Sequence, residues 1–211
     1  MFEIEYKGAN CVVISTKKAK LIVDPKLSIV GLKDVPIKEA VELVTEERFA
    51  VKNPDSRLLI DSPGEYGVAD FDIVGVPVRR HIDSENEGLL STMYRVEVGE
   101  TRIGIIGNIY EKLSDEQLEN MGVLDILIIP VGGNGYTLDA VGASNLVKLV
   151  SPKVVIPVHY ADKTLQYEVS QNDLGQFITE LGAPVEETVK YKSKQQLGIQ
   201  APLTIIKITR T

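Results

Sequence analysis

Two short apolar runs in the second half of the chain constrain the fold more than any other feature. Residues 126–129 and 154–156 are apolar at every position, whereas a strand with one solvated face alternates apolar and polar residues. Between these runs, apolar residues recur over 143–150 with the spacing of a helix that has one buried face. A strand buried on both faces, a helix and a second such strand predict a β-α-β unit with parallel strands.

Two further helices and a final strand are predicted around this unit. Ser114 and Gln117 have the spacing of a capping box, which predicts a helix that begins at Ser114 and ends near Gly122. Residues 174–181 have helical apolar spacing and are followed by a glycine, the residue type that most often ends a helix. A last strand is predicted over 203–208.

The first half of the chain is rich in short strands separated by turn residues. Residues 2–6 alternate apolar and charged side chains, which is typical of a half-buried strand. Further strands are predicted over 11–14, 21–23, 41–44, 58–60, 73–78, 93–98 and 103–106. A strand-rich half followed by β-α-β predicts two packed sheets covered by helices, in a single domain over residues 1–211.

The composition narrows the choice of partners and compartment. The chain has 211 residues and a net charge of −7, so its surface is expected to repel the phosphates of nucleic acids. No apolar run approaches the roughly 20 residues of a membrane span, and the N-terminus lacks the pattern of a signal peptide. Cys11 is the only cysteine, which excludes an intrachain disulfide and a multi-cysteine zinc site. We expect a cytoplasmic protein with no nucleic-acid partner and no membrane partner.

Four stretches in collinear order resemble the metallo-β-lactamase superfamily, and they are closest to its branch of small, UlaG-like metal-dependent hydrolases. These stretches are residues 8–11 with 21–25, residues 62–66, residues 129–143 and residues 152–160. The resemblance covers nearly the whole chain. It implies an α/β fold, the metallo-β-lactamase-like αββα sandwich in which helices flank two packed mixed β-sheets. It also implies an active site at one edge of the two sheets.

The chemistry of that superfamily depends on histidine and aspartate side chains that hold two metal ions and activate a water molecule. The resemblance places the first ligand motif directly after the strand predicted over 41–44, and most ligand positions carry other residue types in this chain. The replacements are Glu46 and Arg48 for the first two histidines, Ala50 for the aspartate, Val51 for the last histidine, Ala9 for the histidine of the opening turn and Asn108 for the bridging aspartate.

His81 and His159 are the only histidines in the chain, and both match ligand positions of the superfamily. In the parent arrangement the two histidines serve different metals, so by themselves they do not make a closed zinc site. They are the candidate metal ligands here. Together with Glu46, Arg48 and Asn108, they are the residues that we predict to lie at the position of the superfamily's site.

We therefore expect a non-catalytic protein, a pseudo-enzyme whose fold serves binding or assembly without a cofactor. Arg48 is the main reason, because a permanently charged guanidinium opposes a divalent cation and can instead pair with Glu46. The alternative is a hydrolase of esters or phosphodiesters with a rebuilt site. In that alternative, Glu46, His81 and His159 hold one zinc, iron or manganese ion. The resemblance is also compatible with a homo-oligomer, and the sequence indicates no particular small-molecule ligand.

Three other segments allow a functional and a structural interpretation. A thiolate nucleophile at Cys11, paired with His81 or His159, would need a lowered pKa, whereas a cysteine in an apolar strand is more often a core residue. The glycines within 132–135 lack the Lys-Ser/Thr tail of a phosphate-binding loop and predict a turn at the sheet edge. Residues 62–65 predict a tight turn.

Overall fold

Two β-sheets and three α-helices make up the part of the chain that the computed structural model describes, residues 1–83, 88–193 and 202–211. The strands are β1 (Glu3–Gly8), β2 (Cys11–Ser15), β3 (Lys20–Val23), β4 (Val41–Leu43), β5 (Leu58–Ile60), β6 (Gly64–Val68), β7 (Phe71–Val78), β8 (Ser91–Val98), β9 (Thr101–Ile105), β10 (Ile126–Pro130), β11 (Val154–Val158), β12 (Val185–Thr188), β13 (Tyr191–Lys192) and β14 (Thr204–Ile208). The α-helices are α1 (Asp115–Met121), α2 (Ala140–Val150) and α3 (Leu174–Leu181).

The smaller sheet has the strand order β13-β1-β2-β3-β4-β5, and the larger sheet has the order β12-β14-β11-β10-β9-β8-β7-β6. Strands β9, β10, β11 and β14 are parallel neighbours. Strands β10 and β11 are buried at every position, and α2 connects them. The β-α-β unit and the αββα sandwich predicted from the sequence are therefore confirmed.

The main core lies between the two sheets, where alternating side chains of each sheet face the other. Ile14 and Leu43 of the smaller sheet belong to the same apolar cluster as Ile128 and Ile156 of the larger sheet. A second cluster lies under helices α2 and α3 and includes Phe177, which is fully buried. Helix α1 begins with the expected capping box, in which Ser114 accepts from the amide of the third helical residue.

Three edge strands were not predicted from the sequence. The expected turn over 62–65 is wrong in part, because Gly64 is the first residue of β6 at the edge of the larger sheet. β6 has five residues and is interrupted by glycine, and β12 and β13 have four and two residues; most of these residues are exposed. Such strands are held largely by backbone pairing and place at most two apolar side chains against the core, namely Tyr66 and Val68 of β6 and Tyr191 of β13. They therefore leave no periodic pattern in the sequence.

Within the described residues, no α-helix combines the length and the apolar character needed to cross a bilayer.

Tyr94 links the two sheets through a buried hydrogen bond. It lies on β8 of the larger sheet, and its hydroxyl donates to the carbonyl of Val44, just after β4 of the smaller sheet, at 2.9 Å. We expect Tyr94→Phe to lower the free energy of unfolding by about 1–2 kcal/mol, because a buried carbonyl loses this partner while the packing is kept. Urea denaturation measures the change. Tyr191→Phe, at a half-buried ring on β13, is the matched control, and equal effects of the two substitutions would contradict the assigned role.

Candidate functional site

The candidate site lies where the carboxyl ends of parallel strands from both sheets meet. Asp24 follows β3 in the smaller sheet, while Asn108 and His159 follow β9 and β11 in the larger sheet. Hydrogen bonds join the sheets at this edge, and two of them involve residues of the site. Asn10 Nδ2 donates to Asn108 Oδ1 at 3.1 Å, and the His159 amide donates to the Ala9 carbonyl at 2.9 Å.

Glu46 is the centre of a network of ion pairs. Its side chain is 2% exposed, and Arg48 contacts it twice: Nε lies 2.9 Å from Oε2, and Nη2 donates to Oε1 at 3.2 Å. Arg80 Nη1 lies 3.6 Å from the same Oε2. Arg80 also donates to both carboxylate oxygens of Asp83, at 2.8 and 2.6 Å. Two acidic and two basic groups therefore neutralise one another at the edge of the sheets.

The position of Arg48 is fixed by aromatic contacts as well as by charge. Its guanidinium carbon lies 4.8 Å from the centre of the Phe49 ring and 5.3 Å from that of Tyr136. Burial raises the pKa of Glu46, and the attraction of Arg48 and then Arg80 opposes this rise. A buried carboxylate is costly unless a cation pairs with it. The expected pairing of Arg48 with Glu46 is thus present in the structure.

His159 is buried and lies between two aromatic rings. Tyr136 stacks on it with ring centres 5.4 Å apart, and Tyr167 packs at 4.8 Å in a tilted arrangement. Its Nδ1 lies 3.2 Å from Gln171 Oε1, while Gln171 Nε2 donates to the Val169 carbonyl at 2.6 Å. Because a carbonyl only accepts, Gln171 Oε1 must be the atom that faces His159, so Nδ1 carries the proton. The other ring nitrogen, Nε2, then has a lone pair.

The burial of His159 also decides its charge. Loss of solvation lowers the pKa of His159 to about 4, although the hydrogen bond to Gln171 opposes the shift. The imidazole is therefore neutral near pH 7. Its backbone adopts a left-handed conformation with φ of 51°. The loop after β10 comes close to this residue, and a Cβ at Gly132 would clash with the His159 carbonyl oxygen. The turn expected at the sheet edge is present and packs against His159.

His81 has different neighbours from His159. Its amide donates to the Asn108 carbonyl at 2.9 Å, and its ring centre lies 6.3 Å from that of Tyr110. In the part of the chain that the structure describes, no three His, Cys, Asp or Glu side chains are grouped so that they could hold a metal ion. Glu46, His81 and His159 are not brought together as a three-ligand set. Their roles as ligands remain a prediction.

The residues that the resemblance assigns to the ligand positions do not suit the metal centre of the superfamily. Ala9, Ala50 and Val51 have no donor atoms in their side chains, and the Asn108 carbonyl oxygen accepts from Asn10. The Glu46 carboxylate already faces two guanidinium groups. A metal ion would have to displace these partners from a buried carboxylate, which leaves charged groups unpaired.

Asp24 is a site residue that the sequence interpretation missed. Its Oδ1 accepts from the Thr45 amide at 2.8 Å, and its Oδ2 accepts from the Thr45 hydroxyl at 2.7 Å. Burial raises the pKa of Asp24 to about 7, against the effect of the two hydrogen bonds from Thr45. In the sequence, Asp24 lies in the stretch 21–25 that resembles the superfamily, but it is not among the predicted site residues. The sequence did contain a signal for Asp24, because a carboxylate directly after a buried strand lies at the edge of the sheet.

A cavity of about 160 Å³ opens beside Arg48 and His159. Its walls combine polar and aromatic side chains, and those important for its chemistry are Asn10, Lys26, Arg48, Tyr136, His159 and Tyr167. The apolar side chains of Ile29 and Val169 form part of its lining and are both partly exposed to solvent. The cavity thus lies at the edge where the superfamily has its active site, but its charged groups differ.

Cys11 does not contribute to this chemistry. It is fully buried in an apolar cluster with Val13 and Ile22. Burial raises the pKa of its thiol well above the usual range, and the nearby Asp24 adds to the rise. A neutral, enclosed thiol is a poor nucleophile, so the structure supports the interpretation of Cys11 as a core residue.

The fold, with a site at the edge where the two sheets meet, is that of the metallo-β-lactamase class. A family model described as β-lactamase superfamily domain matches residues 3–159. The match covers most of the chain, and the chain belongs to this family.

Similar proteins of known sequence or structure support the same assignment. A UPF0173 metal-dependent hydrolase from Carboxydothermus hydrogenoformans is 38% identical over 60 residues, which are 28% of this chain and 24% of that protein. The match therefore spans about a quarter of that relative's length. A candidate Zn-dependent hydrolase of the metallo-β-lactamase superfamily from Thermotoga maritima superposes with a TM-score of 0.77 and 20% identity, over 99% of this chain and 100% of that chain.

A more distant structural neighbour shows that this fold supports several chemistries. The diiron β-hydroxylase CmlA from Streptomyces venezuelae superposes with a TM-score of 0.60 and 14% identity. The superposition covers 86% of this chain and 49% of that chain. Likeness at this level of identity establishes the fold, so the activity of the present chain must be argued from its own site.

The raised pKa of Asp24 predicts a pH-dependent stability. A carboxyl group that is harder to ionise in the folded state stabilises the fold below its unfolded pKa, and this contribution is lost as pH rises towards 7. The unfolding free energy of Asp24→Asn minus that of the parent protein is therefore expected to rise by about 3 kcal/mol as the pH is raised from 4 to 7. Asparagine also tolerates the positive φ of this position.

Denaturant unfolding at a series of pH values tests this expectation. At each pH, the unfolding free energy of the parent protein is subtracted from that of the variant. This subtraction removes the contributions of other titrating groups, such as His159. Asp61→Asn, at an exposed carboxylate, is the control and should show no such trend. A difference for Asp24→Asn that stays constant with pH would show that Asp24 ionises normally.

Proposed function

We propose that this chain is a non-catalytic binding protein in which an arginine-centred ion-pair network takes the place of the family's metal centre. The observation that carries the proposal is the double contact of Arg48 with the buried Glu46, reinforced by Arg80. A guanidinium about 4 Å from a cation repels each unit of its charge by roughly 4 kcal/mol at an effective dielectric constant of 20. Two such groups oppose a divalent ion strongly.

The cavity beside the network supports a binding role. It has a formed shape, aromatic walls and several polar groups, which are the usual features of a small-molecule site. Nothing in its chemistry requires a metal-bound water. Self-association, a cytoplasmic location and the lack of nucleic-acid and membrane partners remain predictions from the sequence.

The alternative, a hydrolase with one metal held by Glu46, His81 and His159, has one observation in its favour. His159 is neutral and its Nε2 has a lone pair, the form in which histidine binds a metal ion. The alternative also requires Arg48 to release Glu46. Because Glu46 is already neutralised by two guanidinium groups, a metal ion would have to compete with both for one carboxylate, so the non-catalytic proposal is favoured.

Metal analysis distinguishes the two functions. Protein purified without added metal or a histidine tag is expected to contain no stoichiometric zinc, iron or manganese, and calorimetric titration with each ion should give no saturable heat. Chelator treatment should leave the melting temperature unchanged, because no ligand of the native state is removed. Stoichiometric uptake that is lost in both His159→Ala and His81→Ala would contradict the proposal and support the hydrolase.

A double substitution tests whether the guanidinium of Arg48 prevents metal binding. Arg48→His with Asn108→Asp removes the cation and places an imidazole and a carboxylate beside Glu46, which are suitable zinc ligands. We expect this variant to bind zinc more tightly than the parent protein. Asn108→Asp alone, which keeps Arg48, is the matched control. If the control gains as much zinc affinity as the double variant, the role given to Arg48 is wrong.

A further inference from the structure

We infer that the cavity beside Arg48 binds a small organic acid that carries a hydroxyl or amino group next to its carboxylate. This inference rests on the proposed function, because it takes Arg48 rather than a metal ion as the group that receives the ligand. Three features specify the ligand class: the cavity has apolar surface, a cation whose donors are not all used, and two acceptors that receive no hydrogen bond from the part of the chain that the structure describes.

Arg48 is arranged to accept a second carboxylate. Glu46 uses the Nε edge of the guanidinium, through Nε and Nη2. Nη1 makes no hydrogen bond to any residue in the described ranges, and the side chain is still 35% exposed. The five N–H groups of arginine form a planar fork that can hold carboxylates on two edges. Lys26 also lines the cavity and adds a second positive charge.

Two acceptor atoms specify a hydrogen-bond donor on the ligand. Asn10 donates its Nδ2 to Asn108, and its buried Oδ1 has no hydrogen-bond partner among the described residues. His159 uses Nδ1 for Gln171, so Nε2 is an acceptor. Both residues line the cavity. A buried acceptor without a donor is unfavourable, and a ligand hydroxyl or amino group would remove that cost.

The size and the walls of the cavity limit the ligand further. The cavity has a volume of about 160 Å³ and opens to solvent, which favours a small organic molecule as the ligand. Phe49, Tyr136 and Tyr167 supply aromatic surface, so an apolar or aromatic substituent is favoured. Two carboxylates also line the cavity. Asp24 is held by Thr45, and Glu168 is exposed, where solvent screens its repulsion of an anion.

Matched pairs of acids test the inference without a known ligand. The probes are mandelate against phenylacetate, and lactate against propionate, which differ only in the hydroxyl group. Inorganic phosphate is included as a simple anion. Calorimetry and thermal shift on the metal-free full chain are expected to show binding of mandelate that is at least about tenfold tighter than that of phenylacetate, because only mandelate supplies the missing donor.

Substitutions of Arg48 and Lys26 test whether these side chains bind the carboxylate of the ligand. Arg48→Lys keeps the charge but loses the planar fork, so mandelate affinity should fall about tenfold or more. Arg102→Lys, at an exposed arginine on the larger sheet, is the control and should bind like the parent protein. Lys26→Gln at the cavity wall gives a second, independent variant, and it should also weaken mandelate binding. Melting temperatures confirm that each variant is folded.

The outcomes separate this inference from the proposed function. No binding of any acid, equal binding within each matched pair, or binding of phosphate alone would overturn the inference and leave the metal analysis as the test of the proposed function. Acids that bind only after zinc is added would overturn both. Binding that depends on the hydroxyl group and on Arg48, without metal, supports both.

Discussion

The buried carboxylate of Glu46 is the constraint on which the arrangement of the site depends. A carboxylate that loses its solvation needs cations close by, and Arg48 and Arg80 approach it from two different loops. Arg80 in turn holds Asp83, and Arg48 packs against Phe49 and Tyr136. Charge neutralisation at one carboxylate therefore orders three loops at the sheet edge and also shapes one wall of the cavity.

The sandwich fold makes this convergence possible. Parallel strands bring their carboxyl ends to one edge of each sheet, and packing of the two sheets brings those edges together. Hydrogen bonds from Asn10 to Asn108 and from His159 to Ala9 then hold the two sheets together at this edge. The same scaffold supports metal-dependent chemistry in similar proteins, because the loops can change while the core is kept. In this chain those loops carry Arg48 and Arg80, which both face Glu46.

Much of the fold could be predicted because its signals are local. The apolar runs that became β10 and β11 and the capping box at Ser114 depend on nearby residues alone. The edge strands β6, β12 and β13 could not be predicted, since backbone pairing with distant strands forms them. At the candidate site, the resemblance indicated Glu46, Arg48 and His159, whereas it did not single out Asp24, Asn10 and Tyr136. Their roles arise from contacts between segments that are far apart in the sequence.

The sequence by itself determined the order of strands and helices, through local periodicity, and it indicated the family through the resemblance of four collinear stretches. Both depend on residue types and their spacing along the chain, which do not change with context. Only the tertiary structure decided that Arg48 and Arg80 share Glu46, that His159 is neutral, and that Asp24 has a pKa of about 7. Each of these depends on desolvation and on distances between charges. Both quantities are defined only after distant segments have packed together and excluded water.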